Sequence, residues 1–138
     1  MLIIDENIKN KLCCIITDIT ENIKMTREEI LNILEDEINK TIEEGQTIFI
    51  LGLSNQIDMG ASNLVLEFKY KNKNLRLVCT IPYFGYEEQF DFLHKCLFFN
   101  IIREADHVVY ISEKDNINCI SIRDSWMIEH STKVITIK

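Results

Sequence analysis

The apolar residues of this chain come in short, continuous runs of strand length, and the segments between those runs carry helical periods instead. Five runs stand out: Leu12-Cys13-Cys14-Ile15-Ile16-Thr17, Thr47-Ile48-Phe49-Ile50-Leu51, Leu75 to Ile81, His107-Val108-Val109-Tyr110-Ile111 and Lys133-Val134-Ile135-Thr136-Ile137. A strand that is apolar throughout must be covered on both faces, unlike one that alternates apolar and polar residues. The intervals supply the cover. Thr26 and Glu29 form a capping box ahead of Ile30, Leu34, Ile38 and Ile42, and Gly45 stands where a helix end takes a left-handed residue. Asp58 is placed to cap a second helix carrying Ala61, Val65 and Phe68, which breaks in Lys71-Asn72-Lys73-Asn74. A third helix is predicted over Glu87 to Glu104 and a short fourth over Ser121 to Glu129, after a turn-rich patch from Ser112 to Asn118. Pro82, the single proline, is expected to close the third strand. The alternation predicts an α/β, three-layer Rossmann-like fold: a five-stranded, mostly parallel sheet with right-handed crossovers and helices on both faces. Residues 1–11 read as a leading arm and 12–138 as one domain.

Composition narrows the function. With 138 residues, of which 46% are hydrophobic and 27% charged, the chain is long enough to bury about two-thirds of its unfolded surface. Its 15 Lys and Arg against 22 Asp and Glu give a formal charge of −7, which repels phosphate backbones and argues against nucleic acid as a partner. No apolar run approaches the roughly 18 to 20 residues that cross a bilayer. The N-terminus, Met1-Leu2-Ile3-Ile4-Asp5-Glu6, lacks the basic and cleavage regions of a signal peptide. A cytoplasmic protein without membrane contact is the expectation. Cys13, Cys14, Cys79, Cys96 and Cys119 form no Cys-x-x-Cys pair and lie mostly in apolar runs, where thiols act as small hydrophobes; Cys119, beside a turn and near Arg123, is the candidate for reactivity. His94, His107 and His130 lack metal-site spacing. No metal and no cofactor are expected, and Ser54 lies in no nucleophile elbow.

Parallel sheets bind ligands beyond the C-terminal ends of their strands. There the sequence places Thr17-Asp18, Gly52 to Asp58, Pro82 to Tyr86, Ser112 and Arg123-Asp124. Each has a plainer role as well: Gly52 as turn chemistry, Asp58 as a helix cap, and Arg123 as the partner of Asp124 or Glu129 rather than a fork for a phosphate or carboxylate.

In their order and separations, Gly52-Leu53-Ser54-Asn55-Gln56-Ile57-Asp58, Ile81-Pro82-Tyr83, Ala105-Asp106, Val109-Tyr110-Ile111-Ser112 and Arg123-Asp124-Ser125-Trp126 resemble the YpsA-like branch of the SLOG superfamily, from about residue 12 onward. This Rossmann-like group also includes the LOG phosphoribohydrolases and the DprA fold. The resemblance implies a pocket for a nucleotide-derived small molecule, of the ADP-ribose kind, with Thr17, Asp18, Gly52, Ser54, Asp58, Pro82, Tyr83, Tyr86, Ser112, Arg123 and Asp124 as candidate contacts and no catalytic residue. It also exposes departures. The Gly-His-Arg after strand one reads Thr17-Asp18-Ile19 or Asp18-Ile19-Thr20. In the Gly-x-Ala-x-Gly-x-Asp segment, Ser54 replaces the alanine and Gln56 the second glycine, crowding the approach of a phosphate to backbone N–H groups. The family's glutamate falls on Asn63, its Gln and Trp on Tyr86 and Phe90, and its Arg-Asn pair reads Arg123-Asp124. The glycine-rich turn after the last strand has no counterpart before Lys138, and the Gly-Gly-x-Gly-Thr of the phosphoribohydrolases is absent.

The expected function is therefore sensing or regulation through a bound nucleotide-related molecule. The alternatives are a degenerate, ligand-free member working through protein contacts and, more weakly, a hydrolase of N-glycosidic bonds using Asp58 or Asp18. The helix around Phe90 to Ile102 adds a partner: apolar residues cover nearly its whole wheel, which predicts a homodimer through it, or else cover by the leading arm.

Overall fold

The computed structural model describes residues 11–17, 24–113 and 117–136. The leading arm up to residue 10, Asp18, and Ile137 and Lys138 lie outside them. Five strands, β1 (Leu12–Ile16), β2 (Ile48–Gly52), β3 (Arg76–Tyr83), β4 (His107–Ser112) and β5 (Lys133–Thr136), form one sheet in the order β4-β3-β2-β1-β5. Every pairing is parallel, so the sheet is fully rather than mostly so.

The helices are α1 (Arg27–Glu43), α2 (Gln56–Lys71), α3 (Phe92–Glu104) and α4 (Cys119–Glu129). The first three connections each step the chain one strand in the same direction. Right-handed crossovers therefore put α1, α2 and α3 on one face. Ile30, Leu34 and Ile38 of α1, Met59, Ala61 and Val65 of α2, and Phe98 and Ile101 of α3 share that core with Cys13, Phe49, Leu51, Leu77 and Ile81 of the sheet. The fourth connection runs back across the sheet to β5, so α4 takes the other face, where Met127 and Trp126 pack on Leu12, Cys14, Ile50 and Val78. Burial of this kind raises the Cys13 and Cys79 thiols to about 12, as suits side chains that serve as packing. Cys96 is exposed. Among the described residues, no helix is long and apolar enough to cross a membrane.

The first capping box forms as expected: Thr26 accepts from the Glu29 N–H at 3.1 Å, and Gly45 ends α1 with φ of 98°. Three expectations need correction. Asn55, not Asp58, caps α2, its Oδ1 accepting the Asp58 N–H at 2.8 Å. The helix expected from Glu87 is two pieces, a 3-10 turn at Tyr86–Gln89 and then α3, because the Asp91 side chain takes the His94 N–H and restarts the chain as a new N-cap. Pro82 lies within β3 instead of closing it. Beyond Thr80 the strand has outrun β2 and pairs with β4 alone, so a residue without an N–H is tolerated there.

Candidate ligand-binding site

The two faces of the fold meet at the C-terminal edge of the sheet. α2 begins there on one face, and α4 passes on the other. Between them β2 ends in Gly52, and the space its missing side chain leaves is filled by Arg123: a Cβ at this position would fall 2.5 Å from the guanidinium carbon and closer still to Nη1. Gly52 is thus required by an internal approach, the guanidinium of α4 crossing the end of the strand.

Arg123 is 2% exposed. Its Nη2 and Nε donate to Asp124 Oδ1 at 2.8 and 3.2 Å, the ion pair that sequence neighbours suggest. Nη1 is also buried and has no hydrogen-bond partner among the described residues. A buried guanidinium N–H without an acceptor is costly, and native proteins rarely leave one.

Asp58 sits in the first turn of α2, within the electrostatic reach of Arg123, and is equally buried. Its Oδ1 accepts the Thr17 hydroxyl, which follows β1, and its Oδ2 accepts the Ser54 N–H and hydroxyl at 3.0 and 2.8 Å. Three donors around one carboxyl are what an ionised aspartate requires. Burial nevertheless pushes its pKa above the ordinary carboxylate range, against the pull of Arg123 and of those hydrogen bonds. Asp58 and Arg123 are the only buried charged residues among those described.

Aromatic side chains border the pair. Tyr83, at the end of β3, meets Tyr86 edge to face at 5.3 Å, and Tyr86 meets Phe90 in the same way at 5.7 Å. The Tyr86 hydroxyl lies within the electrostatic reach of both Arg123 and Asp58, and burial raises its pKa.

Of the residues expected from sequence, Thr17, Gly52, Ser54, Asp58, Tyr86, Arg123 and Asp124 converge in one cluster, with Tyr83 at its border. Pro82 is buried in β3. Ser112 pairs in register with Tyr83 at the end of β4, two strands across from Gly52, or roughly 10 Å at the usual strand spacing. Gln56 turns away from the cluster: its amide nitrogen lies 2.6 Å from His94 Nε2, and His94 Nδ1 pairs with Asp91 at 2.9 Å. Sequence reading missed this His94–Asp91 pair, although their spacing of three within one helical turn was available to suggest it. It also missed Asn55, whose Nδ2 reaches the Thr17 carbonyl oxygen at 3.5 Å and whose Oδ1 lies 3.4 Å from the Thr17 hydroxyl. Asn55 with Asp58 three residues on has the form of a capping box, which is the signal that would have found it.

Among the described residues, no group of acidic, histidine and cysteine side chains could hold a metal ion. The geometry offers instead a buried cation with one donor unpartnered among the described residues, a buried acid and an aromatic border. A search of curated proteins returned no match to the chain. A profile described as the YspA SLOG family (YpsA) matches residues 3–137. With nearly the whole sequence inside that match, and with the Rossmann-like sheet and the order of motifs agreeing with it, the chain belongs to the YpsA family of SLOG proteins.

Proposed function

We propose that the protein is a binding module for a nucleotide-related small molecule of the ADP-ribose class, used for sensing or regulation. One observation carries this reading: Arg123 Nη1 is buried at the C-terminal edge of a parallel sheet, where such folds bind ligands, with no acceptor among the described residues. An anionic oxygen of a ligand would satisfy it, with Tyr83 and Tyr86 supplying the apolar wall that such pockets use. The anion in view is modest. Asp124 already holds the other side of the guanidinium, and Asp58 adds a second carboxyl nearby. The same balance favours contacts to ribose hydroxyls over a densely charged phosphate cluster.

A thermal-shift panel of ADP-ribose, NAD, nucleoside monophosphates and cyclic nucleotides tests the reading, because a ligand that binds only the folded state raises the melting temperature by mass action. ADP-ribose is expected to do so, and Arg123→Ala to abolish the shift. An unshifted melt at millimolar ligand throughout the panel defeats the proposal.

A second reading has its own support. Phe92, Leu93 and Phe99 of α3 are 82%, 66% and 53% exposed, an apolar surface of the kind that protein partners cover. In this reading the protein acts through contacts there, foremost as a homodimer. The two readings are compatible, since α3 and the Arg123 cluster occupy different parts of the fold.

A further inference from the structure

We infer that anion binding at Arg123 is linked to proton uptake by Asp58, with the Thr17 hydroxyl as the rotor that permits it. The inference rests on Arg123 as the ligand contact and adds what the site does when that contact is made.

Charge and geometry lead to it together. Arg123, packed against Gly52, is the one buried cation among the described residues, and its charge reaches the one buried acid among them, Asp58. Among the described residues, the groups facing Asp58 are Thr17 from the end of β1, Ser54 and Asn55 from the turn before α2, Cys79 from β3, Tyr86 from the 3-10 turn and Arg123 from α4, with Asp124 behind Arg123. Burial keeps Cys79 and Tyr86 neutral at ordinary pH. Arg123 is therefore the only positive charge in that set, and Asp124 already shares it. An anion arriving at Nη1 brings a further negative charge into a desolvated site, where charges interact strongly. A proton on Asp58 cancels it.

The hydrogen-bond pattern can accept that proton. Asp58 now receives three hydrogen bonds, and a protonated carboxyl must donate one. Its Oδ1 faces the Thr17 hydroxyl, which can donate or accept, and Asn55 Oδ1 lies 3.4 Å from the same hydroxyl as an alternative acceptor. On protonation, Asp58 Oδ1–H donates to Thr17 Oγ1, and the Thr17 hydrogen swings to Asn55 Oδ1. That carbonyl oxygen has a second lone pair beside the one taken by the Asp58 N–H. Ser54 keeps its two bonds to Oδ2, so no buried group loses its partner.

The test is titration calorimetry with ADP-ribose in buffers of different ionisation enthalpy, which counts protons exchanged per ligand bound. Wild-type protein is expected to take up protons and to bind more weakly as pH rises, by up to about tenfold per pH unit within the window that Asp58 sets. Thr17→Val, which removes the rotor, is expected to bind with reduced uptake, and Asp58→Asn with none. A ligand-free arm stands apart from the choice of ligand: Arg123→Gln removes the cation, and carboxyl-carbon NMR of Asp58 is expected to show its titration midpoint moving up. Binding with the same affinity and no proton uptake across the pH range overturns the linkage and leaves the binding site intact. An Asp58 midpoint unmoved by Arg123→Gln overturns the linkage without reference to ligand. Failure of every member of the ligand panel to bind defeats the binding reading and the linkage with it.

Discussion

The two ends of the sheet each carry a carboxylate beside a cation, and they treat it in opposite ways. At the N-terminal end, Asp106 precedes β4. It holds Lys69 through both oxygens at 2.6 and 2.8 Å and accepts the Leu77 N–H at 2.8 Å, while its own N–H donates to the Leu77 carbonyl oxygen. Burial works against the charge there, but Lys69, the Leu77 N–H and Arg76 outweigh it, and the pKa is lowered. At the C-terminal end, burial prevails at Asp58 and the pKa is raised, while the neighbouring Arg123 keeps an N–H without an acceptor among the described residues. One end joins α2 and β3 to β4 and is closed. The other leaves a buried donor without a partner among the described residues, the observation on which the proposed binding site rests.

The contrast can be broken most forcefully at the closed end. Asp106→Ala leaves the Leu77 N–H and Lys69 without their acceptor and is expected to cost about 2–3 kcal/mol in denaturant unfolding, with no effect on ligand-induced thermal shifts. A loss of ligand response in a folded variant would mean that the two ends are coupled. At the open end, Gly52→Ala drives a methyl group into the guanidinium. Its expected cost is smaller, about 1–2 kcal/mol, because Arg123 is long enough to retreat, but the ligand response should vanish. The double variant Gly52→Ala with Arg123→Ala should recover the stability and leave the response absent; if it recovers nothing, the clash is with something other than Arg123.

Smaller effects distinguish the ends through pH. Asp106 has a lowered pKa, so its stabilisation is present above the ordinary carboxylate value and is lost as pH falls through the folded value. Asp58 has a raised pKa, so its contribution is complete below the ordinary value and is lost as pH rises through the folded one. Stability profiles of Asp106→Asn and Asp58→Asn should therefore flatten on opposite limbs, and flattening on the same limb would erase the distinction. Least of all should stability respond to Leu93→Ser on the exposed face of α3, where a change within about 0.5 kcal/mol is expected. Light scattering reads the dimer there: a wild-type dimer should become a monomer in this variant, and a wild-type monomer would remove the homodimer from consideration.

Most of the framework was legible because burial on both faces writes strands as unbroken apolar runs, and all five such runs became strands. Boundaries failed where two capping residues competed. Asn55 and Asp58 are both good N-cap types, and only the distribution of backbone N–H groups decides that the first caps and the second reaches back to Ser54. The break before α3 has no proline or glycine within it, so the helical pattern ran through Phe90 and Asp91 unchecked. Within the site, the residue types at the sheet edge were readable, but their relations were not. Nothing local to Gly52 announces that its absent side chain makes room for an arginine 71 positions later, because that contact exists only once α4 has crossed the far face. Arg123 as a partner of Asp124 was legible from adjacency; its third nitrogen, without a partner among the described residues, was not.

That crossing also sets how far apart along the chain the parts of the cluster lie. β1 to β4 are joined to their neighbours by single crossovers, whereas β5 pairs with β1 across about 120 residues of chain, Thr132 donating to the Leu12 carbonyl oxygen. Contacts between such distant positions carry the largest loop-closure entropy and slow the formation of whatever depends on them. Arg123 lies on that distant segment. Thr17, Gly52, Ser54 and Asp58 all belong to the part of the chain from β1 to α2, so the cluster is complete only where the segment carrying α4 and β5 has closed on the rest of the sheet.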